Sequence, residues 1–229
     1  MEFIANTVKE YDALVIIEVV AGYGGAQAVA RLNDALNRKG AKWDYAISDP
    51  TSSVTKGTER YAFLWKTSKL RKVGDAWLEK KYHKEIEREP YFITLKAGPK
   101  EFTLAAFHAV PTGKKPEREI RYLQKIPAEY KGRNILFCGD YNCSQSSEAF
   151  SSLKAIGYQP IFANQKTTIK NKPKGTECLA SEYDNIFFRH SQVKWLRSGI
   201  IPFYTTFPTL TQARKISDHV PIYFEFSLN

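Results

Sequence analysis

The chain has 229 residues, 43% hydrophobic and 25% charged, which suits one large α/β sandwich or two small domains and argues against long disorder. Its 34 Lys and Arg against 24 Asp and Glu leave a formal charge of +10, which favours a polyanionic partner, although charge alone fits a basic protein without one equally well. No apolar run approaches the roughly 18 residues of a membrane span; the longest, 13–21, is interrupted by Glu18, and residues 1–10 lack the pattern of a secretion signal.

Phe3, Ile4, Val8 and Tyr11 recur at helical spacing, ahead of the apolar run that opens at Ala13 and reads as a buried strand ending at Glu18. Gly24 and Gly25 open a second helix with Ala28, Val29, Leu32 and Leu36 on one face, closed by Gly40. Short strands are predicted over 43–48, 61–67 and 70–78, and a hairpin over 91–96 and 102–110 about Gly98. A helix over 118–126, a strand over 134–138 and a helix over 146–156 follow, then strands over 183–189, 193–196 and 221–226. No repeat or low-complexity linker divides the chain, so 1–229 reads as a single domain of two sheets packed face to face with helices outside.

The polar residues of interest fall at the ends of these strands, where sites collect. Singly they are weak signals. Gly139-Asp140-Tyr141-Asn142 reads first as a turn with Asx hydrogen bonds, Asp218-His219 as a strand-entry cap, and His108 as a satisfied half-buried histidine. Glu18 is harder to dismiss, because a carboxylate entering a core needs a cation or donors to offset its desolvation.

Taken in order, Ile16-Ile17-Glu18, Thr58-Glu59-Arg60-Tyr61, Arg88-Glu89-Pro90, Phe107-His108, Gly139-Asp140-Tyr141-Asn142, Tyr183-Asp184-Asn185-Ile186 and Ser217-Asp218-His219 resemble the signature series of the DNase I-like endonuclease/exonuclease/phosphatase superfamily. The match runs from about Glu18 to the C-terminus, and Glu59, Arg88 and His108 together point to the deoxyribonuclease I branch. The resemblance implies a four-layer α/β/β/α sandwich of two mixed sheets, in the α/β (α+β) class. It implies a divalent-metal-dependent phosphodiesterase, most simply a DNA endonuclease of low sequence specificity leaving 5′ phosphates. A phosphatase or phospholipid phosphodiesterase using the same centre is the alternative, as is an inactive homologue acting as a binding module.

The chemistry accounts for the residue types. Water attacks the phosphodiester in line with the departing 3′ oxygen, and the charge that builds is stabilised by a hard cation that prefers carboxylate oxygens. By resemblance, Glu18 is the principal ligand of Mg²⁺ or Mn²⁺, with Asp140, Asn142 and Asp218 completing the metal and phosphate site; Ca²⁺ is a structural candidate. His108 pairs with Glu59 and His219 with Asp184, each histidine a proton carrier oriented by a carboxylate. Arg88 steadies the site and the neighbouring phosphate.

The chain departs from the family pattern in several places. Val20 and Gly57 stand where the family carries an arginine and a tyrosine that grip duplex DNA. Lys56, Arg60, Lys114, Lys115, Lys170, Lys172 and Lys174 are substitute phosphate contacts, and the lysine-rich stretch 166–175 is the most polymer-binding in character. The family's opening strand, which carries an Asn, has no counterpart ahead of the helix near Glu2, which would leave a sheet position unpaired and which reads as N-terminal truncation or as a place filled by another chain. Cys143 and Cys178 fall roughly where the family bridges two loops. A Cys143–Cys178 disulfide would imply a secreted or periplasmic protein, while Cys138 reads as a buried free thiol.

Overall fold

The computed structural model describes residues 1–53 and 57–229; Lys56 lies outside the described residues, as does the side chain of Lys174. Helix α1 (Glu2–Val8) turns into β1 (Ala13–Val20), and α2 (Tyr23–Asn37) follows almost at once. That tight succession depends on Gly25, where a Cβ would lie 1.9 Å from the Val20 carbonyl oxygen. β2 (Trp43–Ile47) and β3 (Glu59–Lys66) complete an antiparallel sheet in the order β1-β3-β2.

The single strand predicted over 70–78 is two short ones, β4 (Arg71–Lys72) and β5 (Trp77–Leu78), separated by Gly74 at φ +67°. Both pair with β6 (Tyr91–Ala97), which forms the predicted hairpin with β7 (Lys100–His108). The helix predicted over 118–126 is broken into α3 (Glu117–Ile120) and α4 (Ile126–Glu129), with a 3-10 turn between and Pro127 in the first turn of α4. A proline at that place supports a helix start and disrupts continuation from before it. After β8 (Ile135–Asp140), the helix predicted over 146–156 shrinks to a 3-10 turn and α5 (Ser151–Ala155). Then come β9 (Tyr158–Pro160), the hairpin β10 (Ile169–Lys174) and β11 (Glu177–Leu179), β12 (Asp184–Arg189), β13 (Val193–Ile200), α6 (Leu210–Ala213) and β14 (Ile222–Leu228).

Alternation along the strands builds four layers. In β3, Tyr61, Phe63 and Trp65 face a middle core while Ala62 and Leu64 face α1 and α2. In β7, Leu104 and Ala106 face that middle core, and Ala105 and Phe107 face an outer one with Ile120, Leu123 and Leu153 from the helical side. β8 divides the same way, with Leu136 and Cys138 inward and Ile135 and Phe137 outward. Each fully buried side chain of this size stabilises the fold by about 1.5–3 kcal/mol, so both faces of the large sheet are held.

That sheet has seven strands, ordered β4-β6-β7-β8-β12-β9 with β5 also on β6, and only β7–β8 is parallel. The opposite layer is not the single mixed sheet expected. It is an antiparallel β1-β3-β2 unit and a separate β13–β14 hairpin, and among the described residues no ladder joins β1 to β14. Val15 and Ile17 of β1 and Phe224 and Phe226 of β14 nevertheless pack on the same middle core. Among the described residues β1 and β14 are each paired on one side only.

The Cys143–Cys178 bridge is not formed, and all three cysteines are free. Each thiol is turned to its own neighbours: Cys143 is buried with Sγ 4.0 Å from Glu117 Oε1, whereas Cys178 sits on β11 with Sγ 3.7 Å from the Thr176 carbonyl. The compartment inferred from that bridge loses its premise. Among the described residues no helix is long and apolar enough to cross a membrane.

Candidate active site

Three strand ends in register form the floor of the site. His108 is paired with Asp140 across β7–β8, and Asp140 with Asp184 across β8–β12, so the three lie in one row of the sheet. The backbones come this close because residue 139 is glycine: a Cβ there would fall 1.7 Å from the Phe107 carbonyl oxygen. After Asp140 the chain drops Tyr141 wholly into the core, against Phe150 and Phe187, and returns with Asn142 at φ +47°. The Asn142 N–H donates to Asp140 Oδ1 at 2.7 Å, and its side-chain amide donates to the Ala109 carbonyl at 3.0 Å.

Glu18 arrives from the facing layer. The β1–β3 register slips between Ile16 and Val19, and Glu18 within that bulge has φ +58°. A left-handed conformation in a non-glycine residue costs of order 1–3 kcal/mol and is kept only where the surroundings impose it. The consequence is that the Glu18 carboxylate leaves the line of its strand and reaches Oε1 to 3.4 Å from His108 Nε2.

Both predicted dyads form. His108 Nδ1 is 2.8 Å from Glu59 Oε1, and His219 Nδ1 is 2.7 Å from Asp184 Oδ2. With Nδ1 engaged, each ring points Nε2 inward, and Asp140 Oδ2 lies between them, 3.7 Å from His108 Nε2 and 3.8 Å from His219 Nε2. The ring of His108 is almost fully buried, while that of His219 is a quarter exposed.

Burial pushes the Asp140 carboxyl up to about 6, helped by the Asp184 charge and opposed by the two imidazoles. For His219, burial pulls downward, but the Asp184 hydrogen bond and charge, with Asp140 and Asp218, outweigh it and leave the ring raised to about 9. Glu18, His108 and Asp140 each offer one ligand atom, and these atoms lie within 4.8 Å of one another. Two carboxylates with an imidazole, bordered by the Asn142 amide, make a donor set suited to a divalent cation.

Two predicted residues stand elsewhere. Asp218 is more than half exposed and turns to Arg214, Oδ2 to Nη2 3.5 Å, outside the triad that could hold a metal. Arg88 is buried behind Glu59: Nη1 is 3.4 Å from Glu59 Oε2, Nε donates to the His108 carbonyl at 3.0 Å, and Nη2 donates to the Ala109 carbonyl. Its fork is occupied by protein acceptors, so it positions Glu59 and the strand end carrying His108 rather than facing a phosphate.

Thr167 is a positioning residue that sequence reasoning missed. Wholly buried, its Oγ1 accepts the Asp184 N–H at 3.1 Å, and its carbonyl accepts the Val220 N–H at 2.8 Å beside His219. A threonine within a lysine-rich stretch carries no signal of this. That stretch proves to be the β10–β11 hairpin, whose base is joined to the segment ahead of β14 by the isolated bridge Thr168↔His219. Lys166 and Lys170 share Glu177, at 3.8 and 2.9 Å. Val20 is two-thirds exposed and stands opposite Glu59 in the ladder.

No family model matches the chain. It is 28% identical over 247 residues to a protein named deoxyribonuclease from Thioalkalivibrio sp. (strain K90mix), covering 99% of this chain and 66% of that relative's length. Among solved structures it is similar to an endonuclease/exonuclease/phosphatase family protein from Bacteroides thetaiotaomicron, at TM-score 0.68 and 16% identity over 98% of this chain and 87% of that one. It is also similar to D. rerio TDP2 complexed with single strand DNA product, at TM-score 0.65 and 11% identity over 99% and 93%. The chain has the α+β fold of the endonuclease/exonuclease/phosphatase family proteins.

Proposed function

We propose that the chain is a divalent-metal-dependent phosphodiesterase and that its substrate is DNA, cut with little sequence preference to leave 5′ phosphates. The observation that carries the reading is the pair of histidine–carboxylate dyads converging on Asp140 Oδ2, with Glu18 entering from the facing layer. The basic balance of the chain and its likeness to a protein named deoxyribonuclease favour a polynucleotide.

In this reading Glu18 and Asp140 hold the cation and Asn142 borders it. Mg²⁺ or Mn²⁺ bound there would draw charge from the phosphoryl oxygens. Asp184 holds His219 with Nε2 inward; the metal-free ring is charged, in part because of Asp140, and a cation held by Asp140 would offset that charge and leave the neutral ring that can take a proton from the attacking water. Glu59 holds His108 on the opposite side, where its Nε2 can donate to a phosphoryl or leaving oxygen; the two histidines could exchange these roles. Asn142 can add a neutral donor to a phosphate oxygen.

Incubation of the purified chain with supercoiled plasmid and Mg²⁺ tests the proposal. Nicked and linear products are expected, and they should vanish in Glu18→Ala and His219→Ala. Intact plasmid alongside hydrolysed inositol phosphates or sphingomyelin would transfer the same centre to a smaller ester.

A further inference from the structure

A cavity of about 330 Å³ opens on the Arg88 side of the catalytic carboxylates. Its wall begins one residue from the site: Glu87 and Val110 are chain neighbours of Arg88 and Ala109, and Ser52 follows Thr51, whose N–H donates to the Glu59 carbonyl at 2.9 Å. Both signs of charge line it, but they are unequally committed. Glu119 is buried, its carboxylate accepting the N–H groups of Glu87 and Val110 at 2.8 Å each, and burial pushes its carboxyl up towards the neutral form. Glu87 accepts from Ser53 Oγ at 2.9 Å and from Lys114 at 3.3 Å. Lys84, Lys115 and Arg118 also line the cavity, are exposed, and make no ion pair among the described residues, and the same holds for Glu85, which leaves three uncommitted cations against one uncommitted carboxylate.

We propose that this cavity is an anion subsite that receives a second phosphodiester of the substrate strand, away from the scissile one. The inference rests on the catalytic reading above. Three cations held at a concave wall beside a phosphodiester-cleaving centre supply what a polyanionic strand needs, and the Arg118 guanidinium can engage two phosphate oxygens where a lysine offers a point charge. The wall is built from three separate segments, 52–53, 83–87 and 110–119, and its cations come from the last two, so the charges converge in space and not along the chain. A strand entering here leaves across Glu18 and Asp140 towards His219, from which the β10–β11 hairpin carries the exposed Lys172 onward. The site therefore grips a polymer on both sides of the cut and makes affinity depend on length.

A length series tests this directly. The probes are single-stranded oligodeoxynucleotides of two to sixteen residues, assayed with Mg²⁺ on the full chain and on the Lys84→Ala/Arg118→Ala variant. For the unaltered chain KM should fall with length, and in the variant that fall should flatten, with KM on the longest probes raised at least tenfold. The dinucleotide, with one phosphodiester, is the internal reference for the centre itself. Retention of the length dependence within twofold in both Lys84→Ala/Arg118→Ala and Lys84→Glu/Arg118→Glu would overturn the subsite. If the unaltered chain cleaves neither these probes nor supercoiled plasmid, the catalytic reading fails, and binding of a fluorescent sixteen-residue probe still decides the subsite. The slope of log K against log salt should then shrink by about 0.7 in the Ala variant, the single-strand value for one lost phosphate, and an unchanged slope would overturn the subsite.

Discussion

Arg88 Nη1 lies 3.4 Å from Glu59 Oε2, and both side chains are about nine-tenths buried. The pair turns the first dyad into a three-residue unit, because the same guanidinium also holds the carbonyls of His108 and Ala109. Removal of the arginine strands a buried carboxylate and two carbonyls. Arg88→Ala is therefore expected to cost about 3–5 kcal/mol of stability, read as a shift in the urea midpoint at constant slope. A change under about 0.5 kcal/mol would show that the guanidinium faces solvent or substrate instead.

The second dyad is closer to solvent and separable from the core. Asp184→Asn keeps the size of the side chain but removes the charge that orients and holds the His219 proton, and His219→Ala removes the proton carrier. Each should lower kcat on DNA by about 10² to 10⁴ with little change in KM. A rise in KM with kcat intact would assign His219 to substrate binding.

Protonation of His219 links the site to stability in the metal-free protein. Its folded pKa of about 9 exceeds the ordinary 6.5, so folding favours the charged ring. That contribution is complete below pH 6.5 and is lost as pH rises through about 9, amounting to about 3 kcal/mol at most. Asp140 acts with the same sign lower down, since its carboxyl is raised from 3.8 to about 6. Denaturation of the chelated protein between pH 5 and 9.5 should show stability falling with pH, and His219→Gln should flatten the upper part of the fall. A divalent cation should restore stability at the alkaline end by binding only the folded carboxylates.

The thiols give a fourth line of test. Burial pushes Cys138 up to about 12 and raises Cys143, while Cys178 is partly exposed on β11. A thiol reagent at pH 8 should modify Cys178 first, and all three cysteines once the chain is unfolded without reductant. Finding a single reactive thiol in the unfolded, unreduced protein would restore a disulfide.

The legible part of the site was its inventory at strand ends. Apolar runs ahead of His108 and Asp140 announce strands, and a polar residue closing such a run stands at a sheet edge where chemistry can occur. The row that aligns His108, Asp140 and Asp184 was not legible from those runs, because it depends on pairing β7 with β8 across residues 109–134, a stretch of helix and turn. Nor was the turn of Glu18, which comes from a bulge with no compositional mark. Arg88 misled for a simple reason: the resemblance gave its guanidinium a phosphate, and nothing in the sequence tells that Glu59 and the carbonyls of His108 and Ala109 already occupy it. The helices over 118–126 and 146–156 were overextended because apolar spacing tells which face is buried but not whether Pro127 or a 3-10 turn interrupts the rise.

Tyr141, dropped into the core between Asp140 and Asn142, sets how this centre fails on heating. Catalytic loops commonly loosen well before the scaffold that carries them. Here the turn carrying Asp140 and Asn142 can loosen only by withdrawing a phenol from among Phe107, Phe150 and Phe187. Inactivation and global melting should then trace the same curve, and the working lifetime of the protein at a given temperature becomes a property of its aromatic interior.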